Sequence, residues 1–443
     1  MKRVACWVGL IAPWVGAAVV IWWSVDRGRA LQRQQPAVKL GAAPLVGRSF
    51  SDGWDWRFGW GLVAAGVIAA LVSVGCWRGW WFTVRLRWVM LASALGATLF
   101  ATTLALTDGV DGLLYGARHE TEYLANLKIA PPAGEFVRTF VDRIDMYSVH
   151  VRGHPPGFLL VLKFLDAVGL HGAWPVAMLS VVATGVLAAA VLAAVRATAG
   201  DEWMRRCAPF LIVAPYAIWM VTSADAVYTA VGALGIAAAA EGLRRTGWLS
   251  AILGLFSGAL LGSLLYLTYL GAVLVIIPAV LVVAALIRRE PGAVRTAAAA
   301  VAAAVAVVGG FWVAGFWWFD GVSRTKGEYL DGSAQFRVWS YFAVGNIGAA
   351  LFAIGPATLA GLTILRSKRM WLLVGAAIAA LAVSHFSQYT KAEVERIWLL
   401  FYPWIAIAGA GLVGRSRWRW SASWVAVQAS CAIVLQAALV SKW

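Results

Sequence analysis

Residues 174–195, WPVAMLSVVATGVLAAAVLAAV, run without a charged side chain and stop against Arg196. A helix rises about 1.5 Å per residue, so about 20 apolar residues cross the roughly 30 Å hydrocarbon core of a bilayer. In lipid a single segment satisfies its backbone hydrogen bonds only as a helix. The stretch therefore reads as a transmembrane helix, and runs like it recur on both sides. Spans are expected near 4–25, 58–77, 86–107, 174–195, 208–222, 225–243, 248–264, 266–287, 295–318, 341–365, 370–386, 397–414 and 421–440. The fold class is an all-α polytopic membrane protein of about 13 transmembrane helices, organised as a single domain over 1–443. The first run follows Lys2 and Arg3, is too long for a signal-peptide core and lacks a small-residue cleavage site, so it reads as an anchor.

Composition agrees. Of 443 residues, 61% are hydrophobic and 13% charged, against about 25% charged in soluble proteins. A water-soluble enzyme, a disordered chain and a coiled coil are excluded. Cys6, Cys76, Cys207 and Cys431 lie in or beside apolar runs, without disulfide or zinc spacing. Many of the 26 tryptophans sit at run edges, among them Trp22, Trp23, Trp54, Trp56, Trp77, Trp80, Trp81, Trp317, Trp318, Trp418 and Trp420. This is the pattern of an interfacial aromatic belt.

The net charge of +16 is sorted by side. With the N-terminus in the cytoplasm, the short inner segments hold 19 basic residues, including Arg196, Arg244, Arg245, Arg288, Arg369, Arg415 and Arg417, and only four acids. The outer segments hold 18 basic and 17 acidic residues. Basic residues in short loops set orientation. The positive charge thus serves topology rather than nucleic-acid binding, and the carboxylates collect on the outer face. Alternation requires that 155–171, PPGFLLVLKFLDAVGLH, lie on the surface as an amphipathic helix instead of crossing. The alanine run at 297–305 suits close helix packing.

The outer loop at 108–172, with juxtamembrane helices, carries the candidate site. Asp108 and Asp111 share one helical face by their (i, i+3) spacing. His119, Glu120 and Glu122 follow, and Arg152 and His154 precede a proline-started helix whose N-terminus suits an anion. Asp225 stands in a tight outer turn at the membrane edge, where a carboxylate is costly unless paired or used. The loop 320–340 reads as a flap. Lys391 and Arg396 lead into the twelfth span, and a guanidinium there suits a phosphate.

The ordered set resembles the GT-C superfamily of membrane glycosyltransferases, in the branch of protein O-mannosyltransferases and lipid A aminoarabinose transferases. His119-Glu120-Thr121-Glu122-Tyr123 stands where that family has Asp-Glu-x-x-Tyr. Glu120 matches the second acid and His119 replaces the first, with Asp111 or Glu122 as substitutes. His154-Pro155-Pro156 matches the His/Lys-Pro-Pro element, and the Asp225 turn and the Arg396-to-Pro403 segment match in order. The resemblance implies inverting transfer of a sugar from a polyprenyl-phosphate donor to an extracytoplasmic acceptor hydroxyl on a glycan, lipid or protein. In that reading Glu120, Glu122, Asp111 and Asp108 are the catalytic carboxylates. Arg152, His154, Lys391, Arg396, Asp225 and His119 bind donor phosphate or substrate. A divalent cation, Mg or Mn, is left open as a cofactor. The rival class is a polytopic transporter or lipid flippase, which requires charge in mid-span; these spans are nearly free of it. The implied location is the plasma membrane, with membrane lipids as partners.

Overall fold

The computed structural model describes residues 2–36, 38, 40, 56–414 and 418–439, and their side chains apart from those of 2–11, Ser333 and Trp418. Trp54, Arg415 and Arg417 lie outside the described residues, and the Lys2, Arg3, Cys6 and Trp418 side chains outside the described side chains. All regular structure among the described residues is helical.

Nine helices there are long and apolar enough to cross a membrane: Trp60–Trp77, Leu86–Arg118, Ala173–Ala199, Asp225–Arg244, Gly247–Leu267, Ala293–Val313, Trp339–Ile364, Lys368–Phe386 and Arg419–Ala438. Four of the thirteen expected spans are not among them. The run at 4–25 lies within the helix Lys2–Gln34. The other three are broken. The run at 208–222 is shared between Asp201–Ile212 and a 3₁₀ turn, Pro215–Trp219. The run at 266–287 is cut into Gly271–Leu274 and Ile276–Ile287, and 397–414 into short pieces including Tyr402–Ala406 and Ile407–Leu412. Pro215, Pro278 and Pro403 each sit in the first turn of the piece after a break. That is where a residue without an N–H is tolerated and the preceding helix cannot continue through it.

Small residues decide the closest helix pair. Gly254, Gly258 and Gly262 recur every four positions on Gly247–Leu267 and face Thr296, Ala300 and Ala304 of Ala293–Val313. A Cβ on Gly258 would stand 1.9 Å from the Ala300 carbonyl oxygen, so the backbones touch. In lipid, where apolar faces gain nothing by leaving water, such contact is the main source of association.

The helix Trp339–Ile364 is kinked at Gly355, φ +75°, ahead of Pro356. The break frees a carbonyl and an amide inside the protein. Gln428, fully buried on the last helix, satisfies both. Its Nε2 donates to the Ile354 oxygen at 2.8 Å, and its Oε1 accepts from Ala357 N at 2.8 Å. Unmade buried hydrogen bonds cost about 1–3 kcal/mol each. Gln428→Leu, nearly isosteric, is therefore expected to destabilise the fold by roughly 2–5 kcal/mol, read as a large fall in Tm in detergent.

The surface helix expected at 155–171 is Gly157–Ala167. Eleven residues are too few to cross a bilayer. Phe158, Leu159 and Leu162 are buried beneath it, and Lys163 Nζ donates to the Ala130 carbonyl at 2.9 Å. The segment read as a flap instead contains a helix, Trp318–Asp331, tied down by Trp318 Nε1 donating to the Leu265 oxygen at 2.9 Å.

The two ends of the bundle differ in chemistry. Asp225 and Arg244 lie nineteen residues apart at opposite ends of one helix, and nineteen residues of helix span about 28 Å. Ala177 and Arg196 stand in the same relation on Ala173–Ala199. Ala177 lines a small cavity with Glu122, Tyr123 and Ser223. Arg196 and Arg244 line another with Arg288 and Arg369. One end thus gathers Glu122 and Asp225 around Arg396, and the other has four arginines around one cavity with a single carboxylate, Glu290, in its lining.

Candidate functional site

The site is assembled from three separate segments, each fixed by local hydrogen bonds. The first is the turn after Arg118. Asn126 holds it: its Nδ2 donates to the Glu122 carbonyl at 2.9 Å and to Ser148 Oγ at 2.7 Å, while its Oδ1 accepts from Ser148 N at 2.8 Å. These bonds join the turn to the short helix Val149–Arg152, which carries His150. The backbones meet again where His150 N donates to the Thr121 carbonyl at 3.3 Å.

The second segment is the turn at 222–225. Ser223 Oγ accepts from Asp225 N at 3.2 Å and donates to Asp225 Oδ2 at 3.3 Å. Ser180 Oγ on the neighbouring helix donates to the Ser223 carbonyl at 3.0 Å. The loop helix Gly109–Arg118 presses on this turn at Gly116, whose added Cβ would fall 1.7 Å from the Thr222 oxygen. Only glycine allows that approach.

The third segment, 388–396, turns through left-handed backbone at Gln388, Ala392 and Glu393, with φ of 64°, 72° and 61°. Such conformations cost L-residues energy and persist where neighbours over-determine them. Here Asn346 Oδ1 accepts from Ala392 N at 3.1 Å, and Asn346 Nδ2 donates to the Thr390 oxygen at 2.7 Å. Arg337 Nη1 donates to the Lys391 carbonyl at 2.8 Å and its Nη2 pairs with Glu393 Oε1 at 2.9 Å. The result aims Arg396 inward.

Arg396 is 3% exposed and joins all three segments. Its Nη1 is 3.5 Å from Asp225 Oδ2 and 3.8 Å from Glu122 Oε1, and its Nη2 is 3.7 Å from Glu393 Oε2. The same Nη2 is 3.4 Å from His150 Nε2. A guanidinium has only donors, so that nitrogen is the acceptor and His150 carries its hydrogen on Nδ1. Nδ1 lies 2.6 Å from Glu122 Oε1. Arg396 thereby also sets the His150 tautomer.

Burial pushes the Glu122 carboxyl up, but the His150 hydrogen bond and the Arg396 charge outweigh it and leave it below the ordinary carboxylate range. Glu393 is likewise net lowered, burial being outweighed by Arg337 and Arg396. His154 goes down because burial disfavours its charged form, against the opposing pull of Asp225. Its Nδ1 lies 2.9 Å from the His150 carbonyl, so Nδ1 donates and Nε2 keeps the lone pair. The ring sits 5.9 Å from that of Tyr123 and 5.7 Å from that of Tyr228.

For all three groups the folded pKa lies below the unfolded one, so the unfolded chain binds more protons and stability rises with pH. The His154 contribution is present above its ordinary value of 6.5 and is lost as pH falls below that value through the folded one. The carboxylate contributions go next, below their ordinary value of 4.5. Thermal melts from pH 8 to 4 should therefore fall monotonically, and His154→Gln should lessen the part of the fall that begins near neutrality.

The ten residues singled out from the sequence divide. Glu122, Asp225 and Arg396 converge, with His154 beside them. Lys391 contributes mainly backbone: its N–H donates to the Tyr329 hydroxyl at 3.1 Å, and its Nζ reaches the Ala334 oxygen at 3.4 Å. Arg152 turns away to Glu328 at 3.3 Å, and its carbonyl accepts from Thr325 Oγ1 at 3.0 Å. Asp108 pairs with Arg57, which also binds the Leu439 carbonyl at 2.9 Å, so it anchors the last helix. Asp111 pairs on the surface with Arg118 at 3.0 Å. His119 caps its own turn through Thr121 Oγ1 at 2.7 Å, and Glu120 is exposed. His150, Glu393, Arg337 and Tyr228 join the site without having been singled out. Two of them had a signal: His150 is four residues before His154, and Tyr228 is one helical turn after Asp225.

Comparison by family model, by sequence and by fold finds no match for this chain. Its chemistry rests on the arrangement itself. Among the described residues no three carboxylate, imidazole or thiolate groups are grouped to hold a metal ion. The centre between Glu122, Asp225 and Glu393 is taken by the Arg396 guanidinium. The cluster sits where the helix Asp225–Arg244 begins, and it offers ionised carboxylates, a buried cation and two imidazoles within one small volume.

Proposed function

We propose that the chain is a GT-C-type membrane glycosyltransferase that moves a sugar from a polyprenyl-phosphate donor to an acceptor hydroxyl outside the cytoplasm. The observation that carries this reading is the convergence of Glu122, Asp225 and His150 on buried Arg396, with His154 beside them, at one end of the bundle. The donor enters sideways from the bilayer, and its phosphate meets Arg396. The bond between the anomeric carbon and the phosphate oxygen breaks as the acceptor oxygen attacks from the opposite face. Glu122 takes the acceptor proton, and the lipid phosphate leaves as an anion stabilised by the guanidinium. Held on two sides by His150 and Arg396, the Glu122 carboxylate stays ionised at neutral pH and correctly aimed. Inversion follows from the single displacement.

The location belongs to the same proposal: a multi-pass protein of the plasma membrane, N-terminus in the cytoplasm, site outside. The sorting of arginines to the end away from Glu122 supports it. A transporter or flippase would need its charges in mid-span; here they cluster where the Asp225–Arg244 helix begins. The test is purified protein offered a panel of polyprenyl-phosphate sugars with a mixed acceptor extract, scored by release of free lipid phosphate. Release that Glu122→Gln eliminates supports the reading. No release from any donor by folded protein overturns it, as does a reporter fused at residue 120 that reads as cytoplasmic.

A further inference from the structure

At the end of the bundle away from Glu122, four helix ends with their connecting loops, distant in sequence, bring Arg196, Arg244, Arg288 and Arg369 around one cavity of about 280 Å³. One carboxylate, Glu290, shares the lining. Arg196 is engaged with Asp201 at 2.8 Å. Arg244, Arg288 and Arg369 have no carboxylate partner among the described residues, although Glu241 is close enough to pair with Arg245 next door. The other wall is apolar, with Leu281, Ala285 and Leu372. Topology alone explains why arginines occur in these loops. It does not explain why four of them face a common space while Arg289, Arg366 and Lys368 of the same loops do not line it.

We propose that this cavity binds the phosphate group of an anionic phospholipid from the adjoining leaflet. A phosphodiester supplies the charge that three unengaged guanidiniums lack, in a planar bidentate geometry that arginine fits better than lysine. The glycerol and first methylenes lie against Leu281 and Leu372, and a headgroup hydroxyl donates to Glu290. A basic pocket between membrane helices at the lipid-headgroup level is a recurrent form of lipid recognition. The proposal does not depend on what the opposite end of the bundle catalyses.

The test uses the full chain in detergent, with thermal stability and native mass spectrometry read on adding phosphatidylglycerol, phosphatidylcholine or inorganic phosphate. Phosphatidylglycerol is expected to raise Tm and to stay bound through detergent exchange, while phosphatidylcholine and inorganic phosphate do neither. Joint substitution Arg244→Ala, Arg288→Ala, Arg369→Ala should weaken phosphatidylglycerol retention roughly a hundredfold. The control Arg289→Ala, Arg366→Ala, Lys368→Ala removes the same charge from the same end and should keep retention within about threefold, as expected if only general surface charge is altered. Equal loss in both triple variants overturns the pocket in favour of diffuse surface charge. Equal stabilisation by phosphatidylcholine removes the anion requirement, and equal stabilisation by inorganic phosphate assigns the site to a free anion; each overturns the lipid proposal.

Discussion

Arg396→Ala is expected to lower lipid-phosphate release by at least about a thousandfold and to cost roughly 3–5 kcal/mol of stability. Both effects come from the same geometry. The substitution leaves Glu122, Asp225 and Glu393 facing one another around an emptied centre. Three carboxylates with their cation removed must take up protons or move apart, and breaking a buried ion pair from one side is costly for that reason. The Glu122 carboxyl, no longer held down by the guanidinium, should then titrate upward. Lost folding and lost catalysis are separated by Arg396→Lys. An ammonium keeps the charge at the centre but not the fork that meets Glu122, Asp225 and His150 at once. That variant should melt within a few degrees of the parent and still lose about a hundredfold in release rate. It should also free the His150 tautomer, visible as a changed imidazole nitrogen shift. Parent-like release by a folded Arg396→Lys variant would mean that the arginine only holds the segments together.

The sequence carried the architecture further than the site. A charge-free run such as 174–195 admits one structure in lipid, and the observed helix Ala173–Ala199 contains it. Such runs do not reveal where a span breaks. Pro215, Pro278 and Pro403 interrupt three of them, and whether a proline kinks, ends or starts a helix depends on which neighbours satisfy the freed backbone groups. Gln428 and Gly355 show the same dependence: seventy-three residues separate the break from the side chain that repairs it. In the site, Asp225 was legible because a carboxylate in a tight turn between two apolar runs is expensive unless paired, and Arg396 because a guanidinium leading into an apolar run suits a charged partner. Which partner was not legible. Glu120 and Glu122 are equivalent in composition and differ by two positions in a turn without helical or strand period. Only Asn126 bonding to Ser148 turns Glu122 inward and leaves Glu120 in solvent. Asp108 and Asp111 looked alike for a related reason, and each turned out to have an arginine of its own.

Glu122→Gln is expected to reduce release by about 10²–10⁴-fold, the usual contribution of a general base, while leaving Tm near the parent value. The amide keeps the volume and can still accept from His150 Nδ1, so the turn held by Asn126 has no reason to move. What disappears is the capacity to take the acceptor's proton. Three neighbouring substitutions discriminate this role from a bystander's. Glu120→Gln removes an exposed carboxylate two residues away and should leave release unchanged, since that side chain has no access to the buried cluster. Asp225→Asn should also lower release, because Arg396 loses its nearest carboxylate at 3.5 Å and with it a fixed position. That defect acts on the cation rather than on the base. His150→Gln loses the hydrogen that faces Glu122 and lets the carboxyl move up toward its ordinary value, so its release-against-pH profile should shift to higher pH while its maximum falls less than that of Glu122→Gln. The sign is decisive: a group that keeps Glu122 ionised must, when removed, require a more alkaline solution to ionise it. A His150→Gln profile displaced to lower pH, or Glu122→Gln protein that is fully active, would move the base to Asp225 or to the His154 Nε2 lone pair.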